Sequence, residues 1–154
     1  MSAIGCDPQA IAEAIKAMFD PETLGADVLT NVGTAPMLPA LGIFPAMSGD
    51  FMTYYETFSR TQLVATNWEL IGRFEGFAED ATRHLFALCA SGTGHPRSVP
   101  DALMQTDTSG HVTLGGKVES AFVGSVQLRS GGDENAGWWE AVWPLTVMVR
   151  RAES

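Results

Sequence analysis

The side chains best suited to metal chemistry in this chain are three histidines and two cysteines, the usual protein ligands of zinc. They are His84, His95, His111, Cys6 and Cys89. Zinc sites draw such residues from short, regular spacings such as His-x-x-x-His or Cys-x-x-Cys, and none of the five stands at such a spacing from another. The sequence therefore predicts no metal site.

The remaining polar motifs do not match a catalytic or cofactor-binding pattern. Ser91-Gly92-Thr93-Gly94 offers hydroxyl groups without the strained elbow or the neighbouring base that a nucleophilic serine needs. The glycine-rich segments match neither a phosphate-binding loop nor a dinucleotide fingerprint. Asp133-Glu134-Asn135 lacks the alternating oxygen ligands of a calcium loop, and we interpret it as a solvated turn. We expect no catalytic residue, no cofactor and no enzymatic activity.

Composition limits the class of protein. The 154 residues include nine basic and eighteen acidic side chains, for a net charge of −9, and 45% are hydrophobic. These values are typical of one globular domain, spanning residues 1–154. The acidic excess argues against binding to a phosphate backbone, which needs clustered Lys and Arg. No apolar run reaches the roughly 18 residues of a membrane span and no signal peptide is recognisable, so we expect a cytoplasmic protein.

The N-terminal third predicts one helix and two strands. Asp7-Pro8 predicts a capped helix start, with Ile11 and Ile15 on the buried stripe and an end at Phe19-Asp20-Pro21. A short strand is expected near residues 26–32. The segment 38–44 predicts an edge or irregular strand, because the prolines around it cannot donate to a β-ladder.

The rest of the chain predicts further strands and two helices. Residues 51–58 and 64–74 favour strands, 77–88 a helix, and Ser98 caps a short helix that ends near 107–110. Residues 118–128 are apolar on both faces, which predicts a central strand. The alternation from Trp138 to Arg150 predicts a long strand in which Pro144 marks an edge, a bulge or an outward-facing position. The fold class is therefore α+β: a mostly antiparallel sheet with helices packed on one face.

Aromatic and charged residues near two predicted hairpin ends are the candidates for contacts with another chain. Trp68, Trp139 and Trp143 have the parity of core residues, whereas Trp138 has the opposite parity beside a glycine-rich loop. Ordinary packing is an equal alternative for the hairpin around Tyr54. The candidate interface residues are Tyr54, Tyr55, Glu56, Phe58, Arg60, Arg129, Asp133, Glu134 and Trp138.

The succession of motifs resembles the tail terminator, or tail completion, proteins of long-tailed (siphovirus-type) bacteriophages. The motifs are Gly49-Asp50-Phe51-Met52-Thr53-Tyr54-Tyr55-Glu56-Thr57-Phe58, the Gly-x-x-Ser-Val-x-x-Ala-Leu segment from Gly94 to Leu103, and the Thr-Leu-Gly-Gly-x-Val turn from Thr113 to Val118. Each motif is weak alone, but together they run in order through nearly the whole chain. The sequence departs from the family in its longer 131–138 loop and in Gly92-Thr93-Gly94-His95.

The resemblance implies a structural virion protein that acts as a homohexameric ring. The ring would cap the tail tube, end tube polymerisation and join the tail to the head-side connector. Its partners would be copies of itself, the major tail tube protein and the connector or stopper protein, with no membrane involved. DNA would pass through the lumen without specific binding, a role compatible with the acidic charge. The expected location is the virion tail or neck, and the host cytoplasm during assembly.

Other functions remain open on the residues alone. Within the same class, the chain could be a head-completion or stopper protein of the neck, or a shortened tube protein. A different class of protein, a small ligand-binding or enzymatic α+β domain, would need a pocket, and no motif in the sequence indicates one. The acidity alone would also suit a regulator that binds a host protein.

Overall fold

A computed structural model describes residues 7–30, 40–47, 49–54, 63–75, 79–90, 98–103, 112–132 and 137–150. In this part of the chain, four helices pack on one face of a seven-stranded mixed sheet, an α+β fold. The helices are α1 (Pro8–Lys16), α2 (Pro21–Leu24), α3 (Glu79–Cys89) and α4 (Val99–Leu103). The strands are β1 (Asp27–Leu29), β2 (Ala40–Pro45), β3 (Met52–Tyr54), β4 (Leu63–Glu75), β5 (Ser120–Val123), β6 (Gln127–Gly132) and β7 (Gly137–Arg150).

The centre of the sheet is an antiparallel ladder between β4 and β7 that runs from Leu63↔Arg150 to Glu75↔Trp138. The strand predicted over 64–74 and the long alternating strand predicted from Trp138 to Arg150 are both confirmed. Residues that face each other across the ladder share one face, so the apolar positions of β4 lie beside those of β7. The buried side chains on this face include Val64, Trp68, Leu70, Phe74, Trp143, Leu145, Val147 and Val149.

The helices close the core over this apolar face. Ile11 and Ile15 of α1, Leu85 and Leu88 of α3, and Leu103 of α4 are buried in the same cluster as the β4 and β7 side chains. Both predicted caps form where the structure describes them. The carboxylate of Asp7 accepts from the Gln9 N–H at 3.1 Å, and Ser98 Oγ accepts from the Asp101 N–H at 3.2 Å. The predicted end of the last helix near 107–110 lies outside the described residues.

One short helix was not predicted. Asp20 accepts from the Glu22 N–H at 3.2 Å and caps α2, which ends at Gly25 with a left-handed φ of 74°. The Asp-Pro pair that ends α1 therefore also starts a second helix, for the same reason that Asp7-Pro8 starts the first.

The predicted central strand over 118–128 is wrong. In its place, β5 and β6 form an interrupted strand that pairs with one side of β7, and the described sheet ends there. The cause is Pro144, which has no N–H to donate, so the ladder breaks opposite it. Its carbonyl accepts from the Gly124 N–H at 2.7 Å inside the break. Pro144 is therefore in an inner strand, opposite a gap in its neighbour.

The prediction of an edge or irregular strand over 38–44 is also wrong for its described part, residues 40–44, which form a regular inner strand. β2 lies between β1 and β4, parallel to β1 and antiparallel to β4. The only proline of the strand, Pro45, is its last residue, so the ladder inside β2 keeps all of its donors. The short strand expected near 26–32 is confirmed as β1, which takes the edge position within the described sheet.

β2 and β3 both pair with the same side of β4, and Asn67 of β4 lies between the two pairing regions. Hydrogen bonds from Asn67 bind the connection between β2 and β3. Its backbone N–H donates to Phe51 O at 2.8 Å, and its carbonyl accepts from Ala46 N–H at 2.9 Å. Its side-chain amide donates to Asp50 O at 2.8 Å and accepts from the Thr146 hydroxyl at 2.9 Å. One side chain thus joins the connection to both strands of the central ladder.

The predicted glycine turn at Thr113 to Val118 is confirmed. Leu114, Gly115 and Gly116 have φ values of 50°, 74° and 84°, and the Thr113 hydroxyl accepts from the Gly116 N–H at 3.0 Å. Glycine adopts this left-handed backbone without steric cost, whereas Leu114 does so at a cost that its burial in the core offsets.

The two faces of β4 predict different responses to truncation. Leu70→Ala removes a fully buried side chain and should lower the free energy of unfolding by about 2–5 kcal/mol. Ile71→Ala, the matched control on the opposite face of the same strand, should cost less than about 1.5 kcal/mol because Ile71 is only partly buried. Urea denaturation of both variants measures the difference. Equal losses would contradict a core confined to one face of the sheet.

Candidate interface on the open face of the sheet

The face of the sheet opposite the helices is termed the open face. At the β6–β7 end of this face, the indole of Trp138 lies across Gly131, its cross-strand neighbour. A Cβ at residue 131 would overlap the ring, so glycine is required there for the ring to reach the sheet. Trp138 is half-buried, as expected of a side chain outside the core.

Two arginines and one glutamate surround Trp138. The guanidinium of Arg73 lies over the Trp138 ring, with Cζ 4.6 Å from the ring centroid. The Glu140 carboxylate forms ion pairs with two guanidinium groups, that of Arg73 at 3.0 Å and that of Arg129 at 3.5 Å. The Glu140 side chain is only 14% exposed, whereas those of Arg73 and Arg129 are about half-exposed. The glutamate therefore holds two arginines in place while about half of each arginine side chain stays exposed.

These charges belong to one row that crosses the sheet from edge to edge. The register pairs Asp27 with Ala40, Ala40 with Arg73, Arg73 with Glu140, and Glu140 with Arg129. Since residues opposite each other share a face, all five positions lie on the open face. This set is termed the charge row. It begins with an exposed acid on β1 and ends with an exposed base on β6.

Apolar side chains occupy the middle of the open face. Ile71 pairs with Val142, and the adjacent Pro144 and Phe122 are exposed, Phe122 by 53%. The described helices all contribute to the core on the other face. The open face therefore combines an apolar strip with ion-paired arginines, the composition of a protein contact surface.

The structure brings together only part of the predicted interface. Arg129 and Trp138 belong to the same cluster, joined through Glu140 and Arg73. Tyr54 is half-exposed at the other end of the central ladder, about eleven residues or roughly 37 Å away along β4. Its hydroxyl donates to Met52 Sδ at 3.6 Å. The other candidates, Tyr55, Glu56, Phe58, Arg60, Asp133 and Glu134, lie outside the described residues.

Sequence reasoning missed Asp27, Arg73, Glu140 and the exposed Phe122 and Leu128 as surface candidates. Arg73 and Glu140 each have the parity of a solvent face in their own strand, and this signal was visible. Their pairing was not, because the register between strands 67 residues or so apart is set by tertiary packing.

The described residues best suited to chemistry have structural surroundings. His84 Nε2 lies 3.0 Å from the Leu24 carbonyl oxygen, and the ring packs edge-on against Phe74, so it joins α3 to the end of α2. Burial raises the pKa of the Cys89 thiol above its ordinary value, the opposite of the shift that activates a nucleophile. Within the described ranges, no group of three His, Cys, Asp or Glu residues could hold a metal ion.

None of the helices in the described part of the chain has the length and apolar character that a bilayer crossing requires. Comparison with known protein families gives no match, and comparison with curated proteins gives none either.

The packing of Trp138 on Gly131 can be tested by a double-mutant cycle. Gly131→Ala should destabilise the protein by about 1–3 kcal/mol, because the added Cβ displaces the indole from the sheet and from Arg73. In a Trp138→Ala background the same substitution should be nearly neutral. Chemical denaturation of the four proteins measures the coupling. Additive effects would show that the ring does not lie on Gly131.

Proposed function

We propose that this chain is a phage tail terminator: a subunit of a hexameric ring that caps the tail tube, ends its polymerisation and joins the tail to the head-side connector. DNA passes through the centre of the ring. The observation that carries the proposal is the open face, a combination of aromatic, apolar and ion-paired side chains on the side of the sheet that no described helix covers. Such a surface suits binding to protein neighbours more than it suits reaction chemistry.

The arrangement of elements supports the resemblance on which the proposal rests. The described elements follow the order of the resembling motifs: a short helix, the 49–54 segment with β3, the long β4, the Ser98-capped helix, and the glycine turn before the closing strands. The order alone does not distinguish a terminator from a stopper protein of the neck.

The charge distribution fits a path for DNA. On and beside α1 and α2, four exposed acids stand against one base, Lys16; the acids are Asp7, Glu13, Asp20 and Glu22. Negative walls repel the phosphate backbone and keep a passage free of adhesion. The arginines of the open face are held by Glu140, which reduces the net positive charge available to nucleic acid.

Removal of the protein from the virus that encodes it gives the decisive phenotype. Particles assembled without it should show tails of irregular, excessive length that are not joined to heads, and the purified protein added back should restore uniform joined tails. Negative-stain electron microscopy measures tail length and attachment. Filled heads that lose their DNA beside tails of normal length would instead indicate a stopper, and normal virions would rule out both roles.

A further inference from the structure

The described sheet ends in two edges of opposite charge. At one edge, β1 carries the exposed Asp27, and at the other, β6 carries Arg129, whose side chain is 54% exposed. No strand among the described residues pairs with the outer side of β1 or of β6. Within the described ranges, both edges therefore have an outer side with which another strand could pair.

The two edges are complementary in charge. The charge row alternates from Asp27 through Arg73 and Glu140 to Arg129, so its two ends carry opposite signs. Asp27 makes no ion pair within the described residues, and Arg129 has donors left beyond its 3.5 Å contact with Glu140. A second copy placed with its β1 beside β6 would continue the alternation without a like-charge contact.

The directions of β6 and β1 also allow these two strands to pair between copies. Following the pairings from β6 through β7, β4 and β2 to β1 shows that β6 and β1 run in opposite directions. Copies related by rotation about an axis along the strands would therefore join β6 to β1 as an antiparallel pair, the commoner kind.

The register that places Arg129 opposite Asp27 also places two apolar residues opposite each other. In an antiparallel ladder, Arg129 opposite Asp27 places Leu128 opposite Val28, on the face that carries the core. Leu128 is 45% exposed although it has core parity beside Ala141, whereas Val28 is buried. A slip by one residue would lose both matches together.

We propose that β6 of one copy binds β1 of the next, with Arg129 paired to Asp27 of that copy and Leu128 covered by its Val28 edge. The contact is heterologous, and it forms a closed ring when the rotation between neighbouring copies divides a full turn evenly. The proposal rests on the proposed ring and deepens it by assigning the subunit contact. At about 4.8 Å per strand, five strands span about 24 Å, so six copies would form a wall at least about 46 Å across.

Charge reversal at the two edges tests this contact. Asp27→Arg and Arg129→Glu should each weaken self-association at least about tenfold, under the conditions where the wild type forms rings, alone or on tail tubes. An equimolar mixture of the two variants should restore rings of alternating subunits, because each like-charged pair is replaced by an opposite one. The double variant should assemble by itself. Size-exclusion chromatography with light scattering measures all four.

Two controls separate the contact from general effects. Glu13→Arg makes the same change in net charge as Asp27→Arg on an exposed helix face, and it should assemble like the wild type. Arg129→Gln removes the charge without placing a second acid beside Glu140, and it should weaken assembly while its thermal unfolding stays close to that of the wild type.

The outcomes distinguish the two proposals. Wild-type rings with unaffected single variants, or a mixture that fails to recover, would overturn the β6–β1 contact and leave the terminator proposal standing. A wild type that never associates, even on tail tubes, would overturn both.

Discussion

The structure depends on the antiparallel ladder between β4 and β7. Its register runs from Leu63↔Arg150 to Glu75↔Trp138, which makes both strands more than twice as long as a typical strand. Such a long pair twists strongly, and a single continuous partner on either side would have to follow that twist. Instead each side is completed by two short strands with a break between them. Asn67 bridges one break through three hydrogen bonds and binds Thr146 of β7 through a fourth, and Pro144 faces the other break.

The β4–β7 ladder contributes both to the hydrophobic core and to the charged open face. One of its faces holds Trp68, Leu70 and Trp143 beneath the helices, and the other carries Arg73, Glu140 and Trp138 in fixed register. Because both faces belong to the same two strands, the core that stabilises the domain also fixes the positions of the surface charges. Side chains that already hold one another by ion pairs need little further ordering on binding, which suits a subunit proposed to act by docking against copies of itself and against the end of a tube.

The sequence predicts the local features well and the pairings poorly. Asp7, Ser98 and the Thr113 turn have short-range signals, in which a side chain caps the backbone two or three residues away. The alternation from Trp138 to Arg150 predicts the buried and open faces of β7. The predicted positions of β2 and β5 in the sheet were wrong because the order of strands is set by contacts between distant parts of the chain. For Pro144 the sequence indicated an edge, a bulge or an outward-facing position, and the structure places it opposite a gap in the neighbouring strand. The interface prediction placed Arg129 and Trp138 on one surface but missed Arg73 and Glu140, which connect them.

If the β4–β7 ladder is the most stable unit of the domain, native-state hydrogen exchange should show it. Ladder amides such as those of Leu70 and Trp143 should exchange only through global unfolding, while those of β1, β3 and β6 should exchange through smaller local openings. Equal or lower protection in β4 and β7 than in these flanking strands would contradict it.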